Sequence, residues 1–210
     1  MKRVVVWGAS SGLGLAIARH FAGKGTEVVG VARDLDKSPE LKLICQSTFG
    51  CDATKASEVN AVVEQLDNDD IVISTMGSFR ADIPVDYLGH RHLIDALCQA
   101  SIQRFVLVTS LGCCDSWKYL SERSKTGFGG AVREKSLAEA WLQTSDLNYT
   151  IIRPGGLKDG EATGTGVLVE PQEVHGLIYR QEVTRLIFEM LENGEGSGEI
   201  FHCIDPELTY

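Results

Sequence analysis

Residues 4–14, Val4-Val5-Val6-Trp7-Gly8-Ala9-Ser10-Ser11-Gly12-Leu13-Gly14, constrain the fold more than any other stretch: an apolar run breaks into a glycine-spaced turn and then an amphipathic segment. The order predicts strand, turn and helix. Gly8 allows a tight turn off the strand, Gly12 removes the Cβ that would hold backbone away from a pyrophosphate, and Gly14 lets the helix pack closely on the sheet. The helix N-terminus, with Ser10, Ser11 and Leu13 around it, then faces the phosphates, where free N–H groups and the positive dipole end favour negative charge. A glycine triplet alone is weak; the strand before it and the helix after it give it meaning.

Length and charge narrow the partners. A chain of 210 residues can bury one sizeable core with little room for a second domain. Twenty basic residues against 29 acidic ones give a net charge of −9, and residues 161–210 hold two Arg against ten Asp or Glu, a local balance of −8. That balance argues against a nucleic-acid footprint. No basic-then-apolar leader precedes the first strand and no apolar run approaches the roughly 20 residues of a membrane helix, so the expectation is a soluble, cytoplasmic monomer or homodimer acting on a small molecule. Cys45, Cys51, Cys98, Cys113, Cys114 and Cys203 lack paired C-x-x-C spacing and read as buried thiols rather than disulfides or metal ligands. His90 and His92, two apart on an expected helix, point to different faces and do not form a metal pair.

Strand-like and helix-like runs alternate along the whole chain. Strands are expected over 4–7, 27–32, 47–50, 70–75, 104–109, 149–153 and 199–204, and helices over 12–23, 55–66, 85–100, 132–144 and 181–192. This is the signature of a single-domain α/β fold, a doubly wound parallel sheet of about seven strands with helices on both faces. Residues 112–130 and 156–176 lack a clear period. Both follow strands at their carboxyl ends, where open α/β sheets bind ligands, so they are candidate substrate lids.

Cofactor choice turns on Gly30-Val31-Ala32-Arg33-Asp34 at the end of the second strand. An acidic residue there would hydrogen-bond a ribose 2′-hydroxyl, whereas Arg33 can pair bidentately with a 2′-phosphate, which favours NADPH over NADH. Asp34 can reach the same hydroxyl if Arg33 turns away, and Arg80 can swing over from the loop after the fourth strand. Cys51-Asp52-Ala53 closes the third strand: Asp52 can accept from the adenine amino group or cap the following helix.

Four further landmarks stand in order: Ser74-Thr75-Met76-Gly77, the run from Arg104 to Ser110, Lys135-Ser136-Leu137-Ala138-Glu139, and Tyr149-Thr150-Ile151-Ile152-Arg153-Pro154-Gly155-Gly156. With the Gly-x-x-x-Gly-x-Gly spacing, the chain resembles the atypical short-chain dehydrogenases/reductases, the NAD(P)H-binding group that includes biliverdin-IXβ reductase, which is also a flavin reductase, and regulator-like proteins. The resemblance implies a Rossmann fold with the nicotinamide beside Met76, Gly77, Ser110 and the Pro154-Gly155 turn. Pro154 lacks an N–H, which bends the chain out of the sheet.

The chain also departs from the main short-chain pattern, which pairs a strand-end Ser with Tyr-x-x-x-Lys, the Tyr protonating a carbonyl oxygen. Ser110 and Lys135 are present, but position 131 is Ala. Tyr119, in the first lid, is a possible replacement acid. Without a phenol, reduction of a simple ketone has no proton donor for its alkoxide, whereas a conjugated acceptor, a flavin or linear tetrapyrrole, needs mainly a positioned hydride donor. Ser110 can orient nicotinamide or substrate, or bond local backbone. Lys135 can bond the nicotinamide ribose, as the resemblance implies, or pair with Glu139 one turn on. Trp117, Tyr119 and Phe128 in the first lid suit a planar anionic acceptor, or else pack the lid on the sheet. His175, in the second lid, can lend a proton or be simply polar. The expected function is NADPH-dependent hydride transfer to a flavin- or biliverdin-like acceptor; the rival is a catalytically silent NAD(P)H-binding redox sensor or scaffold.

Overall fold

The structure is a computed structural model that describes residues 1, 3–78 and 84–208. Arg80 lies outside the described residues. Strand β1 (Arg3–Trp7) carries three consecutive valines because both of its faces are covered. Val4 and Val6 point into one core with Ile17 and Phe21 of α1 (Gly12–Gly23) and Ile187 and Met190 of α6 (Arg180–Glu192). Val5 and Trp7 point into the other, with Val59 of α3 (Ala56–Val63), Leu97 of α4 (Val85–Gln99) and Leu142 of α5 (Glu122–Gln143). Each of these buried valines contributes about 1.5–3 kcal/mol, so β1 is the keel of both layers.

The remaining strands are β2 (Glu27–Ala32), β3 (Ser47–Gly50), β4 (Ile71–Ser74), β5 (Arg104–Val108), β6 (Asn148–Pro154), β7 (Gly156–Lys158), β8 (Val167–Val169), β9 (Leu177–Tyr179) and β10 (Glu199–Ile204); a short helix α2 (Leu41–Ile44) precedes β3. The main sheet has eight strands in the order β3-β2-β1-β4-β5-β6-β10-β8. Strand order reverses beside β1, which pairs with both β2 and β4, so the ligand crevice opens at the carboxyl ends there. The expected seven parallel strands are all present. The eighth, β8, is an antiparallel edge strand on β10 that three residues of sequence are too short to announce.

Both expected lids contain more structure than their sequences suggest. The first holds a 3₁₀ turn over Cys114–Tyr119, and α5 begins ten residues before the expected start. Gly127, Gly129 and Gly130 each lower helix propensity by about 1 kcal/mol, which hides this segment from periodicity. Ser121 caps it by accepting from Ser124 N at 3.1 Å. Gly129 leaves room for Trp117, since a Cβ there would lie 3.0 Å from the indole. The second lid holds β7 and β8, and β7 pairs in parallel with β9 in a separate two-stranded sheet. The chain leaves the main sheet at Pro154-Gly155, where Gly155 N donates to Cys203 O and Gly156 N to Gly176 O.

Candidate active site

The glycine turn has the geometry its spacing demands. Gly8 and Gly12 have φ of +83° and +53°, and a Cβ on Gly14 would sit 2.2 Å from Gly8 O. Gly14 therefore lies behind the site and fixes α1 against the turn. Gly8 N and Ala9 N both donate to Val31 O, tying the loop to β2. Ser11, the N-cap of α1, makes no side-chain cap.

A cavity of about 500 Å³ opens over this turn. Gly8, Ser10, Ser11, Gly12 and Leu13 line its middle; Arg33, Asp34, Lys37, Asp52 and Ala53 line one end; Met76, Gly77 and Lys135 line the other. Arg33 is exposed. Asp34 accepts from Asp36 N at 3.1 Å and pairs with Lys37 Nζ at 3.5 Å, so its carboxylate is engaged in its own turn. Asp52 does not cap α3, whose N-cap is Lys55. Its Oδ1 accepts from Thr54 Oγ1 (2.7 Å) and Thr54 N (3.1 Å), forming the turn before the helix. The Thr54 hydroxyl and amide outweigh partial burial and hold this carboxyl below its usual range.

At the opposite end, Lys135 forms an ion pair with Asp86 Oδ1 at 2.9 Å and donates to Met76 O at 3.2 Å. The alternative pairing with Glu139 is excluded: Glu139 is fully buried on Arg153, 2.6 Å from Nη2, and accepts from Thr109 Oγ1 at 2.6 Å. The other oxygen of the buried Asp86 accepts from Ser78 N, and a Cβ on Gly77 would lie 3.2 Å from both Asp86 Oδ1 and Lys135 Nζ. Gly77 thus gives the cavity floor its close approach to this ion pair. Below it His90 bridges Ser74 Oγ (2.8 Å) and Asp86 O (2.6 Å); burial, aided by the Lys135 charge, pushes its pKa down to about 4, so the ring is neutral. His92 turns instead to Ala53 O, at 3.0 Å.

A second cavity, of about 580 Å³, is lined by Ser110, Tyr119, Phe128, Pro154, Gly155, His175 and His202 among others. Val108 and Thr109 line the first cavity, and Ser110, the next residue, lines the second. Ser110, Pro154 and Gly155, expected beside the nicotinamide, line this second cavity where it adjoins the first at Thr109. Ser110 Oγ donates to Leu111 O at 3.0 Å, the local-backbone role. Trp117 is no part of this lining. It packs on α5, with the Arg133 guanidinium 4.8 Å from its ring centroid, because Gly129 opens a slot for it there. His175 is exposed, 3.3 Å from Glu173 Oε1. Among the cysteines, Cys51, Cys113 and Cys203 are buried as expected, Cys45 is half-buried, and Cys98 and Cys114 are exposed; all six are free thiols.

Sequence reading missed Lys37, Leu157 and Arg180 in the first cavity and His202 in the second. His202 is fully buried and faces Arg153 Nη1 at 3.4 Å; burial first, then the Arg153 charge, lowers its pKa. Its alternation with Phe201 and Cys203 on β10 was the available signal, a polar residue at an inward strand position.

The fold and the two adjoining cavities define a nicotinamide-dinucleotide oxidoreductase, and the chain belongs to the NAD(P)H-binding family, whose sequence profile matches residues 8–194. The resemblance to atypical short-chain dehydrogenases/reductases is borne out. A solved structure described as ChuY, an anaerobilin reductase from Escherichia coli O157:H7, is 42% identical, with full coverage of both chains and a TM-score of 0.91. An uncharacterised chloroplastic protein of Arabidopsis thaliana is 29% identical over 97% of this chain and 76% of its own length. Sanguinarine reductase of Eschscholzia californica is 34% identical over 56% of this chain and 44% of its own. Among the described residues no helix is long and apolar enough to cross a membrane.

Proposed function

We propose that this protein transfers hydride from NADPH to a conjugated acceptor of the linear-tetrapyrrole kind, with flavins as the alternative acceptor. The observation that carries the reading is the junction of the two cavities at Val108, Thr109 and Ser110, with Ala131 one helical turn before Lys135 where a phenol would protonate a carbonyl oxygen. The E. coli relative described as an anaerobilin reductase, similar over its full length, supports the acceptor class.

The residues present fit the dinucleotide. Arg33 and Lys37 offer two cations at the cavity end nearest β2, which favours a ribose 2′-phosphate over a bare hydroxyl. Asp34 lines the same end, where it accepts from Asp36 N and pairs with Lys37 Nζ at 3.5 Å. The uncapped first turn of α1 serves the pyrophosphate, and Lys135, fixed by Asp86, serves the nicotinamide ribose. When bound, the reduced nicotinamide supplies the hydride, and a solvent proton completes reduction of the acceptor. Ser110, Tyr119, Phe128 and His175 hold the acceptor plane in the second cavity, where alignment is the main catalytic device.

The test mixes purified protein with NADPH and, separately, biliverdin, FMN, riboflavin and a dicarbonyl, following loss of the nicotinamide absorbance. Turnover with biliverdin or a flavin and none with the dicarbonyl is expected. Dicarbonyl reduction alone would transfer the reading to an acid-assisted carbonyl enzyme, and tight NADPH binding without any turnover would favour a sensor.

A further inference from the structure

The cations lining the first cavity are distributed along its length. Arg33 and Lys37 sit at the β2 end and Lys135 sits at the Gly77 end. The glycine turn between them, Gly8 to Gly14, contains no charged residue. Yet one cation stands over it: a Cβ built on Gly12 would lie 3.6 Å from Arg180 Nε.

Arg180 is held there by the fold. It opens α6 directly after β9, whose Tyr179 registers with Lys158 of β7, and the fully buried Ile178 and Val183 on either side anchor the junction. Its Nη1 bonds Asp159 Oδ1 at 2.8 Å, and Asp159 is 90% exposed while the Arg180 side chain is 26% exposed. A pair of this kind contributes little and is readily exchanged. Residues 161–210 hold only two basic residues among ten acids. The second, Arg185, is committed to the buried Glu182 and to Glu189, both at 2.6 Å. Arg180 is thus the cation of this acidic region left facing a cavity.

We propose that Arg180 is a diphosphate-binding residue: on dinucleotide binding its guanidinium exchanges Asp159 for the pyrophosphate above Gly12. The exchange releases Asp159, which follows β7, the strand that carries Leu157 into the same cavity and Gly156 into the second. Arg180 thereby binds NADPH and NADH alike, whereas Arg33 and Lys37 separate them.

The inference rests on the dinucleotide occupying the first cavity, and calorimetry with NADPH, NADH and ADP-ribose tests both claims apart. Arg180→Ala is expected to weaken all three ligands by a similar factor of about ten or more, with Arg180→Lys intermediate. Arg33→Ala is expected to weaken NADPH alone. Asp159→Asn removes the competing partner and is expected to tighten all three by about two- to fivefold. Thermal melting of each variant within a few degrees of wild type shows that the fold is intact. Unchanged affinity in Arg180→Ala beside normal wild-type binding overturns this inference alone. An Asp159→Asn loss equal to that of Arg180→Ala also overturns it, by showing that the pair merely braces the loop. Failure of the wild type to bind any of the three overturns the cavity assignment and this inference with it.

Discussion

Replacing Lys135 by Met separates what that lysine does for the fold from what it does for the cofactor. Lys135 Nζ and Asp86 Oδ1 are 2.9 Å apart, and the Asp86 side chain is 1% exposed against 15% for Lys135. At an effective dielectric near 20, two charges at that distance attract by roughly 6 kcal/mol. Desolvation consumes much of this, but removing one partner strands the other, at a cost of about 3–5 kcal/mol. The remaining exposure of Lys135 places the expectation near the lower end, about 3 kcal/mol, or about 6–12 °C in Tm for a chain of this length. Adding Asp86→Asn to Lys135→Met removes the stranded charge and keeps an acceptor for Ser78 N, so most of that stability should return. NADPH affinity should not return, because the ribose contact stays absent. Urea unfolding and calorimetry on the two variants measure both quantities. A Lys135→Met protein as stable as wild type would refute the buried-pair argument, and a double variant that recovered NADPH binding would refute the contact.

Arg33→Ala should cost NADPH about tenfold in Kd, less than a lone arginine contact because Lys37 lines the same end, and should leave NADH unchanged; a wild type that prefers NADH would reverse this reading. Gly14→Ala forces a Cβ to 2.2 Å from Gly8 O, so either α1 shifts or the turn distorts, and dinucleotide binding should be lost together with several kcal/mol of stability; a variant that melts and binds like wild type would show that the turn has slack. Gly12→Val places a side chain inside the cavity at φ +53° and should abolish binding while the protein remains folded by circular dichroism. His90 has its pKa lowered by burial to about 4, so the unfolded chain binds more protons than the native one between pH 6.5 and 4. Stability should therefore fall as pH drops through that window, by about 2 kcal/mol from pH 6.5 to 5; His90→Gln should flatten this slope in unfolding curves, and an unaltered slope would assign it elsewhere.

The parts of this molecule that were legible in its sequence are those set by local period. Val4 to Trp7 had to be a doubly covered strand, Gly14 had to let the helix pack closely, and Leu13, Ile17, Ala18 and Phe21 had to share one face of α1, which is buried. Contacts between distant segments were not legible. The Lys135–Asp86 pair joins α5 to α4, Glu139 turns inward to Arg153 on β6, and Arg180 reaches Gly12 from the far end of the chain. Each of these is fixed by the order of strands in the sheet, which no window of a dozen residues contains. The early start of α5 was hidden for another reason: three glycines argue against a helix locally, while the Ser121 cap and the place of Trp117 against Gly129 belong to the folded chain.

Isotope transfer follows the hydride itself from cofactor to acceptor. NADPH carrying deuterium at the transferable C4 position is incubated with the protein and biliverdin, and the reduced tetrapyrrole is examined by mass spectrometry. Hydride transfer between the two cavities requires one deuterium on carbon in the product, retained after exchange in ordinary water, together with stoichiometric loss of the nicotinamide absorbance. A product bearing only solvent hydrogen, or NADPH that binds and is never oxidised, would rule out hydride transfer to the tetrapyrrole.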